Sequence, residues 1–191
     1  MSKQYPTIAC CGLDCGLCPS FHSSGPSRCP GCAGPDFASK HPSCGVITCC
    51  VKKHRLEVCA QCPEFPCDKF AKRLDSPADS ILTYKNLRHN MAFIQEHGLP
   101  AFLAQQQHRM ALLRRMLAEY NEGRSKSMYC IAATLLPLEE LTAAFKEAGH
   151  RIKDEGLTPA DLKSKAQVLR ELLNAKASKL GIELKLRKGK K

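Results

Sequence analysis

The stretch "CCGLDCGLCPS", residues 10–20, decides how the chain is read. It holds Cys10, Cys11, Cys15 and Cys18 and opens a series that runs on through Cys29, Cys32, Cys44, Cys49, Cys50, Cys59, Cys62 and Cys67. Twelve of the thirteen cysteines lie in the first 67 of 191 residues, and only Cys130 follows. So abrupt a change of composition predicts three parts: a Cys-rich module over 1–75, a helical domain over 76–181 and a basic tail over 182–191.

Three CxxC pairs, "CGLC" (15–18), "CPGC" (29–32) and "CAQC" (59–62), carry the chemistry. The two intervening residues complete a tight turn that brings two sulfurs to one ion, and small residues at the turn keep bulk away from the thiolates. Two such pairs make one tetrahedral zinc site. Large apolar side chains are sparse over residues 1–75, so this segment needs a cross-link to offset its chain entropy. The start "MSKQYPTIA" lacks a signal-peptide core, and no run of about 18 apolar residues reads as a membrane span. A cytoplasmic location without membrane contact is the expectation, and in a reducing compartment dense cysteines bind metal more often than they form disulfides.

Two zinc ions are therefore expected. The first draws on Cys11, Cys15, Cys18, Cys29 and Cys32, and the second on Cys44, Cys49, Cys50, Cys59, Cys62 and Cys67. Spacing does not choose between Cys49 and Cys50. Cys10 is read as a bystander, because Cys11 begins the regular series, and His22, His41 and His54 are read as surface residues. An iron–sulfur cluster serving electron transfer or redox sensing is the alternative, since Pro follows Cys18, Cys29 and Cys62 as it follows ferredoxin cysteines. Tandem ferredoxin runs have no gaps, however, and these spaced pairs suit zinc better.

Taken together, "CCGLDCGLCPSF", "CPGC", "CGVITC" and "CAQCPEFPCDKF" resemble the Cys-rich family called domain of unknown function 3795. The resemblance covers roughly residues 8–72. It implies Cys11, Cys15, Cys18, Cys29, Cys32, Cys44, Cys49, Cys59, Cys62 and Cys67 as the working set, with Gly12, Leu13, Asp14 and Pro66 as framework. Cys10 and Cys50 fall outside that set.

From residue 76 the punctuation is helical. Ser76 and Pro77, "GLP" at 98–100, "NEG" at 121–123, Pro137, Gly149, Thr158, Pro159 and Gly181 predict helices over 78–97, 100–121, 137–148 and 159–180, forming a small bundle. Leu162, Ala166, Leu169, Leu173 and Leu180 mark one buried stripe, and Cys130 is expected in the core.

The formal charge is +11. Two four-thiolate zinc sites would make the first 75 residues slightly acidic, which leaves the basic excess to the second half. "GRSKS" (123–127) and "KLRKGKK" (185–191) therefore nominate Arg124, Lys126, Lys185, Arg187 and Lys188 as weak anion or nucleic-acid contacts. Aromatics for base stacking are scarce. Glu139 and Glu140 do not form an acid–base pair, and His89, His97, His108 and His150 have no evident catalytic partner. The sequence thus predicts a mainly α protein, with a small irregular metal-stabilised module before the bundle. Its expected role is not catalysis but zinc-supported contact with a protein or nucleic acid.

Overall fold

The computed structural model describes residues 2–74, 76 and 78–188. Among these the elements are helices and helical turns, with no strand. Before the long helices come α1 (Phe37–Lys40), α2 (Gly45–Ile47), a π-helical turn (Thr48–Lys53) and α3 (Asp68–Leu74). One-turn 3-10 segments lie at Cys15–Leu17 and Cys59–Gln61. There follow α4 (Leu87–Tyr120), α5 (Lys126–Leu135), α6 (Leu138–Asp154) and α7 (Leu162–Lys179). No described helix is long and apolar enough to cross a membrane.

Packing divides the chain into two compact units, Met1–Gln106 with Leu186–Lys191, and Gln107–Lys185. This division falls well beyond the change in cysteine density near residue 75, and the first unit's core explains why. Buried cysteines 10, 11, 32 and 50 pack with Ala9, Val51, Phe70 and Tyr84, and with Leu87 and Met91 from α4. A second cluster joins Ile8 and Val58 to Ile94, Leu99 and Phe102. The apolar side chains missing from residues 1–75 are supplied by the N-terminal part of α4, so the Cys-rich segment is a core with its helix included.

The expected break at "GLP" is present as a kink in α4, where Gly98 takes φ 82° and ψ 159° just before Pro100. The predicted start at 78 is not. Residues 78–86 are turns, because Asp79 Oδ1 accepts the backbone N–H of Tyr84 at 2.9 Å and the Tyr84 hydroxyl donates to Ser80 Oγ at 2.9 Å. Ser76 donates to the Ala78 carbonyl instead of capping a helix, and Pro77 lies outside the described residues.

In the second unit, α6 packs on α7 and α5 contacts both. Sequence reading misses α5. It starts after the buried Ser125 and ends where Leu136 turns extended before Pro137; Tyr129 and Cys130 inside it are fully buried. Arg109 Nη1 donates to the Ala133 and Leu136 carbonyls at 2.8 and 2.7 Å, satisfying acceptors at the α5 terminus. α6 runs through Gly149 to Asp154, because its apolar positions continue from Leu141, Ala144, Phe145 and Ala148 to half-buried Ile152. The left-handed Gly156 (φ 65°) follows its end. α7 starts at Leu162, since Asp161 Oδ2 accepts from both the N–H and the hydroxyl of Thr158, at 2.8 Å each. Ala166, Leu169 and Leu173 are buried as expected, but Leu180 lies past the helix end and is 46 % exposed.

Of the basic tail, Gly189 to Lys191 lie outside the described residues. Arg187 is docked: its guanidinium donates to Asp79 Oδ1 at 2.9 and 3.1 Å, and its backbone N–H donates to Oδ2 at 2.8 Å. Burial pushes the Asp79 carboxyl up, but these bonds and that from Tyr84 outweigh it and hold the group below its usual range. A depressed carboxyl stabilises the fold fully above its unfolded value near about 3.9 and loses that contribution as pH falls through the folded value. Arg187→Ala should destabilise the protein at neutral pH by about 1 kcal/mol, a figure discounted because the guanidinium is 38 % exposed. Urea unfolding across a pH series should show the gap to wild type closing in acid; a gap that does not change with pH contradicts this account.

Candidate metal centre

The signature at 10–20 is shaped around one carboxylate. Asp14 is 5 % exposed, and its Oδ2 accepts from Asn90 Nδ2 at 2.7 Å while its Oδ1 accepts from Gln106 Nε2 at 3.0 Å. The same amides donate to the carbonyls of Gly12 (2.8 Å) and Thr7 (3.0 Å). Asn90 precedes the α4 kink and Gln106 follows it, so the cysteine loop is bound to both arms of the helix. Gly12 has φ 86°, and a Cβ there would meet Met91 at 2.9 Å. Gly31, in the second knuckle, has φ 86° and sits where a Cβ would meet the Pro6 carbonyl oxygen at 2.3 Å. Backbone bonds then join the pieces: Cys29 N–H donates to Ser20 O (2.9 Å), Cys32 N–H to Pro6 O (2.8 Å) and Cys59 N–H to Cys10 O (2.8 Å).

The sulfurs fall into three neighbourhoods. In the interior, Cys10 is hydrogen-bonded side chain to side chain with Cys32 and with Cys50, and Cys50 with Cys59. Cys10, read as a bystander, is 1 % exposed and stands in the middle of this chain of sulfurs. The Cys32 bond pulls the Cys10 thiol down, but Cys50 and burial push it up to about 12. Cys50 is pulled down by Cys10, yet Cys59 and burial push it up to about 12. The bond to Cys10, then burial, push Cys32 up. Burial raises Cys15 and Cys11 as well, and each also feels Cys32. Two cations attend the group: buried Lys3, which donates to the Ile8 carbonyl and acts electrostatically on Cys10, Cys32 and Cys50, and Arg73, which bonds Cys11.

The second neighbourhood is a cavity of about 30 Å³ lined by Cys49, Cys50, Cys59, Cys62 and Cys67, with His54, Glu64, Leu56 and Phe65. Both members of the 49–50 doublet face it. The π-helical turn allows this: its wider winding, closed by His54 N–H on the Cys49 carbonyl at 3.1 Å, carries both residues on one stretch. Cys44 is absent from this cavity and lines an open groove with His41 and Lys52 instead. The third neighbourhood is a pair, Cys29 Sγ and His41 Nε2 3.2 Å apart, and Cys29 acts electrostatically on Cys18. His22 bonds the Gly16 carbonyl through Nε2 at 2.8 Å. None of the three histidines is fully exposed, as each is drawn to a partner or a cavity by chain folding that spacing does not encode.

Among the described residues, no three His, Cys, Asp or Glu groups stand together so that they could hold a metal ion as placed. The chemistry of the donors nonetheless suits a thiophilic ion, since a thiol that binds metal gives up its proton to do so. The small cavity admits a water-sized sphere and so has room for an ion.

Residues 7–72 match the family described as protein of unknown function (DUF3795). No curated protein and no solved structure matches the chain. The DUF3795 segment contains all twelve N-terminal cysteines and ends inside α3, before Asn90 and Gln106.

The loop nominated as an anion contact looks different. Ser125 donates to Glu122 Oε1 at 2.9 Å, and Arg170 Nη1 lies 3.4 Å from the same oxygen, so a carboxylate already occupies the turn beside Arg124 and Lys126. Lys185 pairs with Glu183 at 3.4 Å on the surface, and Lys188 is exposed.

Asp14→Ala should cost about 3 kcal/mol in urea unfolding, because two buried amides lose an acceptor, and Asp14→Asn should cost less. A loss below about 0.5 kcal/mol for the alanine variant would remove Asp14 as the anchor of α4.

Proposed function

We propose that the first unit is a zinc-binding module whose metal ions set the loops of a protein-interaction surface. One ion is held in the cavity by four of Cys49, Cys50, Cys59, Cys62 and Cys67, and the second by donors of the series Cys11, Cys15, Cys18, Cys29 and Cys32. The single observation that carries this reading is that five cysteines line one small cavity. Closed all-cysteine sites serve structure, and the energy of binding metal is energy of folding. An iron–sulfur cluster takes the same thiolate ligands, and metal analysis separates the two readings.

The choice of a protein partner over nucleic acid follows from the cations. Arg187 is committed to Asp79, and Arg124 and Lys126 flank a carboxylate. Phosphate contacts need several cations presented together.

Anaerobically purified protein should carry about two zinc ions per chain and be colourless, and Cys62→Ser should remove one of them. Chelation should lower the thermal midpoint of wild type. A brown protein with iron and acid-labile sulfide would replace this reading with the cluster, and a chain free of any bound metal would end both.

A further inference from the structure

The interior bonds leave Cys18 and Cys29 in an unusual position. Of the first two CxxC pairs, Cys32 is buried and bonds Cys10, and the half-buried Cys15 packs against the same core, where it feels Cys32 and Cys11. The outer members, Cys18 and Cys29, are half-buried, and Cys29 acts electrostatically on Cys18. Burial pushes the Cys18 thiol up, and the Ser20 and Phe21 backbone works against that rise, with the Phe21 N–H donating to the Cys18 carbonyl at 3.0 Å. The Ser20 carbonyl in turn accepts the Cys29 N–H at 2.9 Å, which fixes the two loops together.

A third donor is already beside them. His41 Nε2 is 3.2 Å from Cys29 Sγ. Two ligands of one tetrahedral zinc, with Zn–S about 2.3 Å and Zn–N about 2.0 Å, stand about 3.5 Å apart, so an ion needs only a small opening of this pair. The ring is also oriented from behind. It stacks on Phe37, centroids 4.3 Å apart and planes 11° from parallel, while the His41 N–H closes α1 on the Phe37 carbonyl at 3.1 Å. Lys40 Nζ donates to the Arg28 carbonyl at 2.8 Å and draws the histidine's loop against the cysteine's.

We infer that His41 is a metal ligand, and that the second ion of the module sits in a mixed thiolate–imidazole site that the Cys29–His41 pair begins and Cys18 closes on binding. This rests on the proposal that the first cysteine series holds an ion, and it departs from an all-cysteine set. The site takes zinc or another borderline divalent ion as neutral imidazole and two thiolates, with two thiol protons released on binding.

The test uses the full chain. Nitrogen NMR of the histidine imidazoles during zinc addition to wild type should move the His41 Nε2 resonance to a metal-bound position as the second ion enters. Cobalt(II) binding to His41→Ala should be weakened at least about tenfold at one of two sites, whereas His41→Cys should retain both ions with d–d bands at lower energy. His150→Ala, on an exposed stretch of α6, should match wild type. A zinc-saturated wild type whose His41 nitrogens have not moved overturns the site, and this holds even if the variants misfold. Should Cys62→Ser lose an ion while His41→Ala keeps wild-type stoichiometry and spectrum, the mixed site falls and the module stands. Absence of any metal in wild type defeats both.

Discussion

The buried carboxylate of Asp14 is the constraint on which the first unit rests. A carboxylate taken from water requires donors, and these come from Asn90 and Gln106, on opposite sides of the α4 kink. Meeting that requirement fixes the helix against the cysteine loop and sets Met91 over Gly12. The kink is part of the same arrangement. Gly98 lets α4 change direction, so that two residues sixteen positions apart reach one side chain.

Given that frame, sulfur takes the place of carbon in the core. Cys10, Cys11, Cys32 and Cys50 are as buried as the leucines around them. Free cysteine packs as a small hydrophobe, so these side chains serve the fold in the reduced, metal-free state as well. The module need not choose between a packed core and a ligand shell. The inner sulfurs contribute to packing, the outer ones would supply the binding in the proposed zinc module, and Cys50 belongs to both groups by lining the cavity and bonding Cys10.

How far the sequence reveals this depends on the range of the contact that matters. CxxC spacing and the helical punctuation of "GLP" and Gly181 are local signals, and the turns and the kink follow them. Contacts set by chain folding are not local. Nothing near Cys10 says that Cys32 and Cys50 will meet it, and nothing near His41 points to Cys29. Helix ends are misjudged where a local rule loses to packing: Gly149 stays helical because the apolar stripe of α6 continues past it, and α5 escapes notice because its ten residues read as loop and apolar run. Lys3 gives no signal at all, being a buried cation in a segment of otherwise ordinary composition.

The position of Gln106 has a consequence for the unit of inheritance. The stretch recognisable as DUF3795 stops at residue 72, yet the acceptor at its heart is answered by residues 90 and 106. A fragment cut at the recognisable border would expose Leu87's and Met91's partners to water and leave Asp14 without either amide. Signature and self-sufficient body are therefore different lengths of chain. Transplanting this module into another protein would mean carrying a helix that contains none of its cysteines.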